Sequence, residues 1–165
     1  MPRMRKLWIL LVVLGMLGAG ACTSTKGTLV GPTQDGVTVS ATLGQKPAVT
    51  VADGAPPTTL VTRDIVVGKG AEAVAGKTAT VQYLGISWST KKEFDSSWSR
   101  GTPFPFPLGG GRVIAGWDQG VAGMKVGGRR LLIIPPALGY ADRGAGADIK
   151  PGETLVFVVD LAEVS

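Results

Sequence analysis

The stretch PFPFPL, at residues 103–108, places a proline at every second position. Proline has no backbone N–H, so one edge of this segment cannot donate hydrogen bonds to a neighbouring strand. The segment is therefore predicted to form an edge strand that pairs through its other edge, with Phe104, Phe106 and Leu108 turned inward. This proline spacing restricts the segment to the edge of a sheet, and no other feature of the sequence constrains the fold as strongly.

Four other segments have the alternation or the apolar run of a β-strand. They are TLVTRDIVVG (59–68), TATVQYLGI (78–86), RRLLIIP (129–135) and TLVFVVDLAEV (154–164). Successive side chains of a strand point to opposite faces, so each pattern selects one core face. That face is predicted to hold Ala79, Val81 and Tyr83 of the second segment and Leu155, Phe157, Val159 and Leu161 of the fourth.

One short helix is predicted between these strands. Its apolar residues gather on a single helical face and are Val113, Ile114, Trp117, Val121 and Met124. Glycines at positions 116, 120 and 123 each cost about 0.5–1 kcal/mol in a helix, so packing against the sheet must hold the segment. The predicted fold class is α+β, a curved antiparallel β-sheet wrapped around one short α-helix.

The first 21 residues are typical of a secretory signal peptide. Arg3, Arg5 and Lys6 precede an apolar run that is too short for a comfortable bilayer crossing. The sequence AGAC at 19–22 resembles the bacterial lipobox, which implies a lipidated Cys22 as the mature N-terminus. A stray cysteine in an uncleaved anchor is the alternative. Because two or more acyl chains hold a protein stably on a membrane, we expect an exported protein, anchored by lipid to the outer face of the bacterial cell membrane or envelope.

Composition divides the rest of the chain into three parts. Residues 22–36 are rich in Thr, Ser, Gly and Pro, which predicts a flexible lipidated tether. Residues 37–58 contain VTVSATL and PAVTV, two patterns of half-buried strands, and then DGAPP, so they predict a small β extension and linker. Residues 59–165 form the main domain, which has no cysteine and must be stabilised by its apolar core.

The charge distribution argues against nucleic acid as a partner. The formal net charge is +5, and it falls to +2 once Arg3, Arg5 and Lys6 leave with the signal peptide. The remaining basic residues are scattered rather than clustered. The adjacent pairs Arg129–Arg130 and Lys91–Lys92 are interpreted as solvated surface.

The residue inventory argues against several classes of catalysis. The chain contains no histidine, its one cysteine is assigned to lipid, and no serine lies in a G-x-S-x-G context. Hydrolytic triads and His- or Cys-based metal sites are therefore disfavoured, and neither a metal nor a cofactor is predicted. The sequence GGGR (109–112) lacks the spacing and the lysine of a phosphate loop. A carboxylate pair for glycoside hydrolysis stays open, although no two acids stand in a suggestive context.

Four motifs, spread over about residues 60–164, carry a family resemblance. They are VQYLG (81–85), KEFDSSWSRGTPFPFPLGGGRVIAGWDQGVAGMKVGGRR (92–130), PPALGYA (135–141) and TLVFVVDL (154–161). Together they closely resemble the FKBP family of peptidyl-prolyl cis-trans isomerases. The resemblance implies an FKBP-like fold, isomerase activity on proline-containing polypeptides, macrolide inhibitors as ligands and a monomer. A non-catalytic proline-peptide-binding lipoprotein and a purely structural surface lipoprotein are the competing hypotheses.

Carried over by position, the resemblance assigns eleven residues to a pocket. Those assigned to catalysis are Tyr83, Phe94, Asp95, Trp117, Tyr140 and Phe157, and those assigned to substrate binding are Arg100, Phe104, Val113, Ile114 and Ile149. It places Trp117 under the bound proline ring and makes the Ile114 N–H and the Tyr140 hydroxyl donors to the peptide. It also implies that Asp95 holds Tyr83 and Arg100 in a polar network. For any single aromatic residue, core packing is the alternative.

The sequence departs from the family pattern in the loop over this pocket. Leu138, Ala141 and Lys150 each replace a residue that many members share, so substrate preference and macrolide affinity stay open. The short segment 141–148 argues against the inserted chaperone domain that some bacterial members carry at this point.

Overall fold

The computed structural model describes residues 29–30 and 35–165. Its strands, in chain order, are β1 (Leu29–Val30), β2 (Val37–Ser40), β3 (Val49–Val51), β4 (Val61–Val66), β5 (Thr78–Ser87), β6 (Glu93–Ser96), β7 (Phe104–Pro107), β8 (Arg129–Ile134) and β9 (Leu155–Val164). Its helices are α1 (Ser97–Arg100) and α2 (Ala115–Val121), and 3₁₀ turns lie at Pro136–Leu138 and Ala141–Arg143.

Six of these strands form one antiparallel sheet. The strand order is β4-β8-β9-β5-β6, and β7 pairs with the first part of β5. Register shifts interrupt the β4–β8, β5–β6 and β5–β9 pairs, and such irregularities bend and twist a sheet locally. The predicted architecture, an antiparallel sheet combined with a short helix, is confirmed.

The proline-rich strand β7 lies at an edge, as predicted. Within the described residues it pairs with β5 alone, and its prolines lie opposite Thr78 and Thr80. Phe106 and Leu108 are buried, and Phe104 packs half-buried against the same core. The missing N–H groups therefore face away from the sheet, where their absence costs no ladder hydrogen bond.

Glycine lets α2 lie directly on β8. A Cβ atom built on Gly116 would come within 2.4 Å of Cγ2 of Ile134, and one built on Gly120 within 2.7 Å of Cδ2 of Leu132. Closely packed interiors have no room for such contacts, so alanine at either position would push the helix outward. Close approach, rather than helix propensity, sets Trp117 against the sheet.

The helices differ from the prediction in two respects. The helix α2 spans seven residues, so Val113 and Met124 lie outside it and Ile114 is its N-terminal capping position. The sequence patterns do not predict α1, because four residues are too few for a periodic signal. Its ends are nonetheless marked locally, since the Ser96 side chain caps the first turn and Gly101, with a φ of 69°, ends it.

Both faces of the central sheet are covered. On the helix face, which packs against α2, the predicted core side chains are buried and are Ala79, Val81, Tyr83, Leu155, Phe157, Val159 and Leu161. The opposite face, called the extension face below, packs against residues 37–51. Its buried side chains are Leu84, Ile86, Leu131, Ile133, Val156 and Val158. Strands β1, β2 and β3 form a small antiparallel sheet of their own, within and just before the segment predicted to be a β extension.

Arg129 joins the extension to the central sheet, and its interpretation as solvated surface is wrong. Its side chain is fully buried and pairs with Asp160 through Nε (2.6 Å) and Nη2 (2.7 Å). It also donates to the backbone carbonyls of Ser40 and Thr42, both at 2.8 Å, and of Gln45 at 2.9 Å. A guanidinium with this many fixed acceptors can be buried because each N–H is satisfied.

Arg130 and Lys91 are also engaged, contrary to the same interpretation, whereas Lys92 is exposed as expected. Arg130 donates from Nε to Asp64 at 2.6 Å. Lys91 donates to the Ala52 carbonyl at 2.7 Å, and its Nζ lies 5.1 Å from the centre of the Trp88 ring. The contact with Ala52 connects the β5–β6 turn to the extension, whereas the contact with Trp88 lies within the turn.

The start of the extension is held as well. Asp35 accepts a hydrogen bond from Nε of Arg63 at 2.8 Å, and Leu29–Val30 pairs with β2. The prediction of a flexible tether over 22–36 therefore needs correction at these residues. The remaining tether, the signal peptide and Cys22 lie outside the described residues. Among the residues that are described, no helix is long and apolar enough to cross a membrane.

Candidate active site

A cavity of about 200 Å³ opens on the helix face, beside the N-terminus of α2. Its lining is mostly aromatic and comprises Tyr83, Phe94, Asp95, Phe104, Arg112, Val113, Ile114, Trp117, Tyr140 and Phe157. These residues come from β5, β6, β7, β9, α2 and the loops around them. Segments far apart in the sequence therefore converge on a single hollow.

The aromatic rings around Trp117 form a tightly fitted set. The indole is only 4% exposed, and its centre lies 5.0 Å from the Tyr83 ring, 5.3 Å from Phe157 and 5.4 Å from Phe106. The interplanar angles are 84°, 89° and 62°, which are edge-to-face arrangements. Such contacts are favourable beyond the area that they bury. They fix Trp117 as the base of the cavity.

A glycine in β5 makes room for the two rings on the opposite wall. A Cβ atom built on Gly85 would lie 2.7 Å from Cζ of Phe94 and 2.8 Å from Cε1 of Phe157. These two rings meet edge to face, with their centres 5.5 Å apart. No sequence pattern singles out Gly85, because only the packed structure shows what a side chain there would meet.

Tyr83, Asp95 and Arg100 form the predicted polar network at the rim. The Tyr83 hydroxyl donates to Asp95 and accepts from Nη2 of Arg100 at 2.7 Å, while Nη1 of Arg100 also donates to Asp95. Burial raises the pKa of Tyr83 and the hydrogen bond to Asp95 raises it further, although Arg100 offsets part of this. The hydrogen bond to Tyr83 is the main cause that raises the pKa of Arg100. The tyrosine therefore stays a neutral donor and the arginine a cation.

Besides the buried Trp117 Nε1 and the exposed Arg112 guanidinium, two polar groups at the cavity have no partner among the described residues. The Ile114 N–H precedes the first turn of α2 and donates to no described group, and the Tyr140 hydroxyl makes no hydrogen bond there either. Tyr140 is 39% exposed, so its hydroxyl is accessible from solvent. Both groups can donate to a ligand in the cavity without breaking an internal bond.

The loop 109–112 is fixed by a carboxylate that the sequence analysis did not identify. Asp118 accepts hydrogen bonds from the N–H groups of Gly109 at 2.8 Å and Gly111 at 3.0 Å. This contact positions the next residue, Arg112, on the cavity wall. The GGGR pattern suggests at most a phosphate loop and does not by itself mark Arg112 as a cavity residue. The available signal was its position in the sequence directly before Val113 and Ile114, which the family resemblance assigns to the pocket.

Nine of the eleven predicted pocket residues line this cavity, and two do not. Arg100 lies outside the lining and reaches the site through Tyr83 and Asp95. Ile149 is 7% exposed and belongs to the hydrophobic core, while its N–H donates to the Ala145 carbonyl at 3.2 Å. Ile149 therefore holds the loop over the cavity rather than forming its wall.

The cavity is suited to an apolar ring and offers hydrogen-bond donors at its rim. In the described part of the chain, no three side chains among His, Cys, Asp and Glu are grouped so that they could hold a metal ion. A bound group would lie against aromatic faces, which exclude water from the side that they cover. The arrangement favours binding and desolvation over acid–base or nucleophilic chemistry.

Comparison with known proteins identifies the family. The sequence model of the FKBP-type peptidyl-prolyl cis-trans isomerases matches residues 69–162. The FK506-binding protein of Streptomyces anulatus is 59% identical over 121 residues, which cover 73% of this chain and 98% of that protein. The probable FK506-binding protein of Corynebacterium glutamicum is 50% identical over 117 residues, or 71% of this chain and 97% of that protein.

The fold leads to the same result. The crystal structure of AtFKBP13 superposes with a TM-score of 0.60 at 41% sequence identity, over 64% of this chain and 93% of that one. The family match spans more than half of the chain and includes every cavity-lining residue. The sheet and α2 therefore form an FKBP-like fold, and the chain belongs to the FKBP-type peptidyl-prolyl cis-trans isomerases.

Proposed function

We propose that the ring-lined cavity is the place where this isomerase turns X–Pro bonds of exported polypeptides. The observation that carries the proposal is the enclosure of Trp117 by aromatic rings, together with uncommitted donors at the rim. A proline ring is apolar, compact and lacks an N–H, so it matches a hollow of about 200 Å³ with an apolar base.

The chemistry requires no nucleophile, base or metal. Rotation of an X–Pro bond faces a barrier near 18–20 kcal/mol, because amide resonance is lost at the perpendicular geometry. The twisted amide has a smaller carbonyl dipole than the planar one, so it loses less when it leaves water. A desolvating cavity therefore favours the twisted form over the planar form, and each 1.4 kcal/mol of this preference accelerates rotation about tenfold.

The rim groups have separate roles in this proposal. The Ile114 N–H and the Tyr140 hydroxyl donate to carbonyl groups of the peptide and hold the chain on either side of the proline. The Asp95–Tyr83–Arg100 network fixes the Tyr83 ring against Trp117, since all three polar groups are hydrogen-bonded to one another. Preorganisation of this kind reduces the cost of ordering the site when substrate binds.

A protease-free assay of a short X–Pro peptide tests the function. We expect the wild-type chain to accelerate cis-trans exchange, and the acceleration to scale with protein concentration. A chain that binds the peptide but leaves its exchange rate unchanged would instead be a proline-peptide-binding module. Exchange measured by NMR gives binding and rotation from the same sample.

The same cavity is proposed to bind FK506-type macrolides. The support is the similarity to proteins named as FK506-binding and the aromatic rings that line the hollow. FK506 should then compete with the X–Pro peptide and abolish the acceleration at saturation. Undiminished activity under saturating FK506 would contradict a shared site.

We further propose that the protein is a monomeric lipoprotein at the outer face of the bacterial membrane or envelope. The support is the signal-like segment 1–21 and the lipobox-like AGAC that ends at Cys22. Labelled fatty acid should be incorporated into the wild-type chain but not into Cys22→Ala, and globomycin should block processing of the wild type. Equal labelling of both chains would contradict an anchor at Cys22.

A further inference from the structure

Arg112 is the one cavity-lining residue whose charge is not matched inside the described part of the protein. Its side chain is exposed and forms no hydrogen bond or ion pair there. Four other arginines each pair with an aspartate, and these pairs are Arg63–Asp35, Arg100–Asp95, Arg129–Asp160 and Arg130–Asp64. Pairing is thus the common state of arginine in this fold, and Arg112 departs from it at the active site.

The acids near Arg112 are already engaged. Asp95, the only carboxylate in the cavity lining, is bound by Arg100 and by the Tyr83 hydroxyl. Asp118 accepts from the Gly109 and Gly111 amides. The cavity wall therefore carries a cation that no internal carboxylate balances.

The position of Arg112 is defined rather than random. The Asp118 contacts hold the loop before it, and Val113 and Ile114 after it are part of the cavity wall. The uncommitted Ile114 N–H lies two residues away. A peptide held by that N–H would therefore pass close to the guanidinium with the residues that flank its proline.

We propose that Arg112 selects substrates that carry a carboxylate side chain next to the proline. The inference rests on the proposed function, because it requires that the peptide bind in this cavity. A guanidinium pairs with a carboxylate through parallel N–H···O bonds. At an exposed rim such a pair is worth little, so the selectivity is about two- to fivefold rather than absolute.

The effect should appear in KM more than in kcat. A charge at the rim touches the side chain of a flanking residue, not the rotating amide, so it binds the planar and the twisted forms equally. It should also weaken with salt, because exposed charges are screened within about 10 Å at 0.1 M ionic strength.

The test uses blocked tetrapeptides in which glutamate replaces glutamine immediately before or immediately after the proline. At low ionic strength, the wild-type chain should show a Glu/Gln ratio of kcat/KM of about two to five for at least one of the two positions. In R112Q that ratio should fall by the same factor, and in R112E it should fall further. R143Q is the matched control, because Arg143 is also exposed and has no ion-pair partner in the described part of the chain, but lies outside the cavity lining.

The possible outcomes distinguish a failure of the Arg112 proposal from a failure of the proposed function. Ratios that are the same in wild type and R112Q, with acceleration of the glutamine peptides intact, would overturn the role of Arg112 and leave the isomerase standing. An equal loss of preference in R143Q would assign the effect to the general field of the protein and also overturn it. Absence of acceleration for every peptide in the wild type would instead contradict the proposed function.

Discussion

The same strands supply both faces of the central sheet, and the two faces have different roles. The helix face lines the cavity, whereas the extension face packs against the extension. On the helix face, β5 and β9 present Tyr83 and Phe157 to Trp117, and rings that meet edge to face leave a hollow between them. On the extension face, the side chains from the same strands are aliphatic. Val156 and Val158 there pack with residues of β2 and β3. Alternation along one strand thus supplies both the binding surface and the support beneath it.

Packing on the extension face explains how the protein tolerates a cavity on the helix face. Large rings around an opening lose contacts that a filled core would make. The extension face compensates, because it buries a second apolar layer and secures it with the Arg129–Asp160 pair. Changes on the extension face should therefore affect stability, whereas changes on the helix face should affect turnover.

Loss of Arg129 should have the largest effect on stability. Arg129→Ala leaves the mostly buried Asp160 carboxylate without its cation and three backbone carbonyls of the extension without their donor. Breaking a buried ion pair costs about 3–5 kcal/mol, which chemical denaturation would measure. Isomerase activity per folded molecule should be unchanged, since no Arg129 atom lines the cavity.

The adjacent arginine is the matched control for this change. Arg130→Ala removes an ion pair with a partly exposed Asp64 and the hydrogen bonds to the carbonyls of Gly120 and Ala122, for which about 2 kcal/mol is expected. Similar losses in Arg129→Ala and Arg130→Ala would contradict the role given to the buried pair.

The stability that Glu153 contributes should depend on pH. Burial raises the pKa of this carboxyl, but hydrogen bonds from Ser89 and Ser87 and the charge of Lys150 outweigh burial, so the pKa is lowered overall. The folded state therefore binds the proton less tightly than the unfolded state. Its contribution to stability is fully present at a pH above the ordinary pKa of the carboxyl. The contribution is lost as the pH falls through the lowered pKa of the folded state.

Glu153→Gln isolates that contribution. At pH 7 the variant should be less stable by about 1.5 kcal/mol, because the Ser89 bonds at 2.9 Å and 2.7 Å lose a charged acceptor. The difference from wild type should shrink as the pH is lowered below the ordinary pKa of a glutamate carboxyl. Urea unfolding across this range measures it, and a difference that stays constant would show that the carboxylate charge is irrelevant.

A methyl group at Gly85 should disturb the helix face from within. In Gly85→Ala the new Cβ would press on Phe94 and Phe157, and overpacking of this kind costs about 1–3 kcal/mol. Activity should fall as well, because both rings line the cavity. Phe94→Leu in the same chain should restore part of the stability. Additive losses in the double variant would mean that the two sites do not touch.

Asp95 should affect turnover far more than stability. Its side chain is 40% exposed and that of Arg100 is 48% exposed, so the pair contributes about 1 kcal/mol or less. Asp95→Val nevertheless frees Tyr83 and Arg100 to move, and about a tenfold loss of kcat/KM is expected. A folded Asp95→Val variant with wild-type turnover would remove the network from the mechanism.

Sequence patterns predict the helix face better than the extension face, for physical reasons. Alternation identifies Tyr83 and Phe157, and the prolines of β7 reveal an edge, because both are properties of one strand. The burial of Arg129 depends on the extension folding over it, and an arginine pair looks the same in the sequence whether solvated or buried. The role of Gly85 is hidden in the sequence for a similar reason, since it depends on neighbours that only the fold brings together.

The most direct test of the account compares kcat/KM for Trp117→Ala and Arg129→Ala in the protease-free assay, at a temperature where both are folded. If the helix face performs the rotation and the extension face only supports it, Trp117→Ala should lose at least about tenfold while Arg129→Ala keeps the wild-type value. Wild-type turnover in folded Trp117→Ala would contradict the claim that the aromatic cavity is the catalytic site.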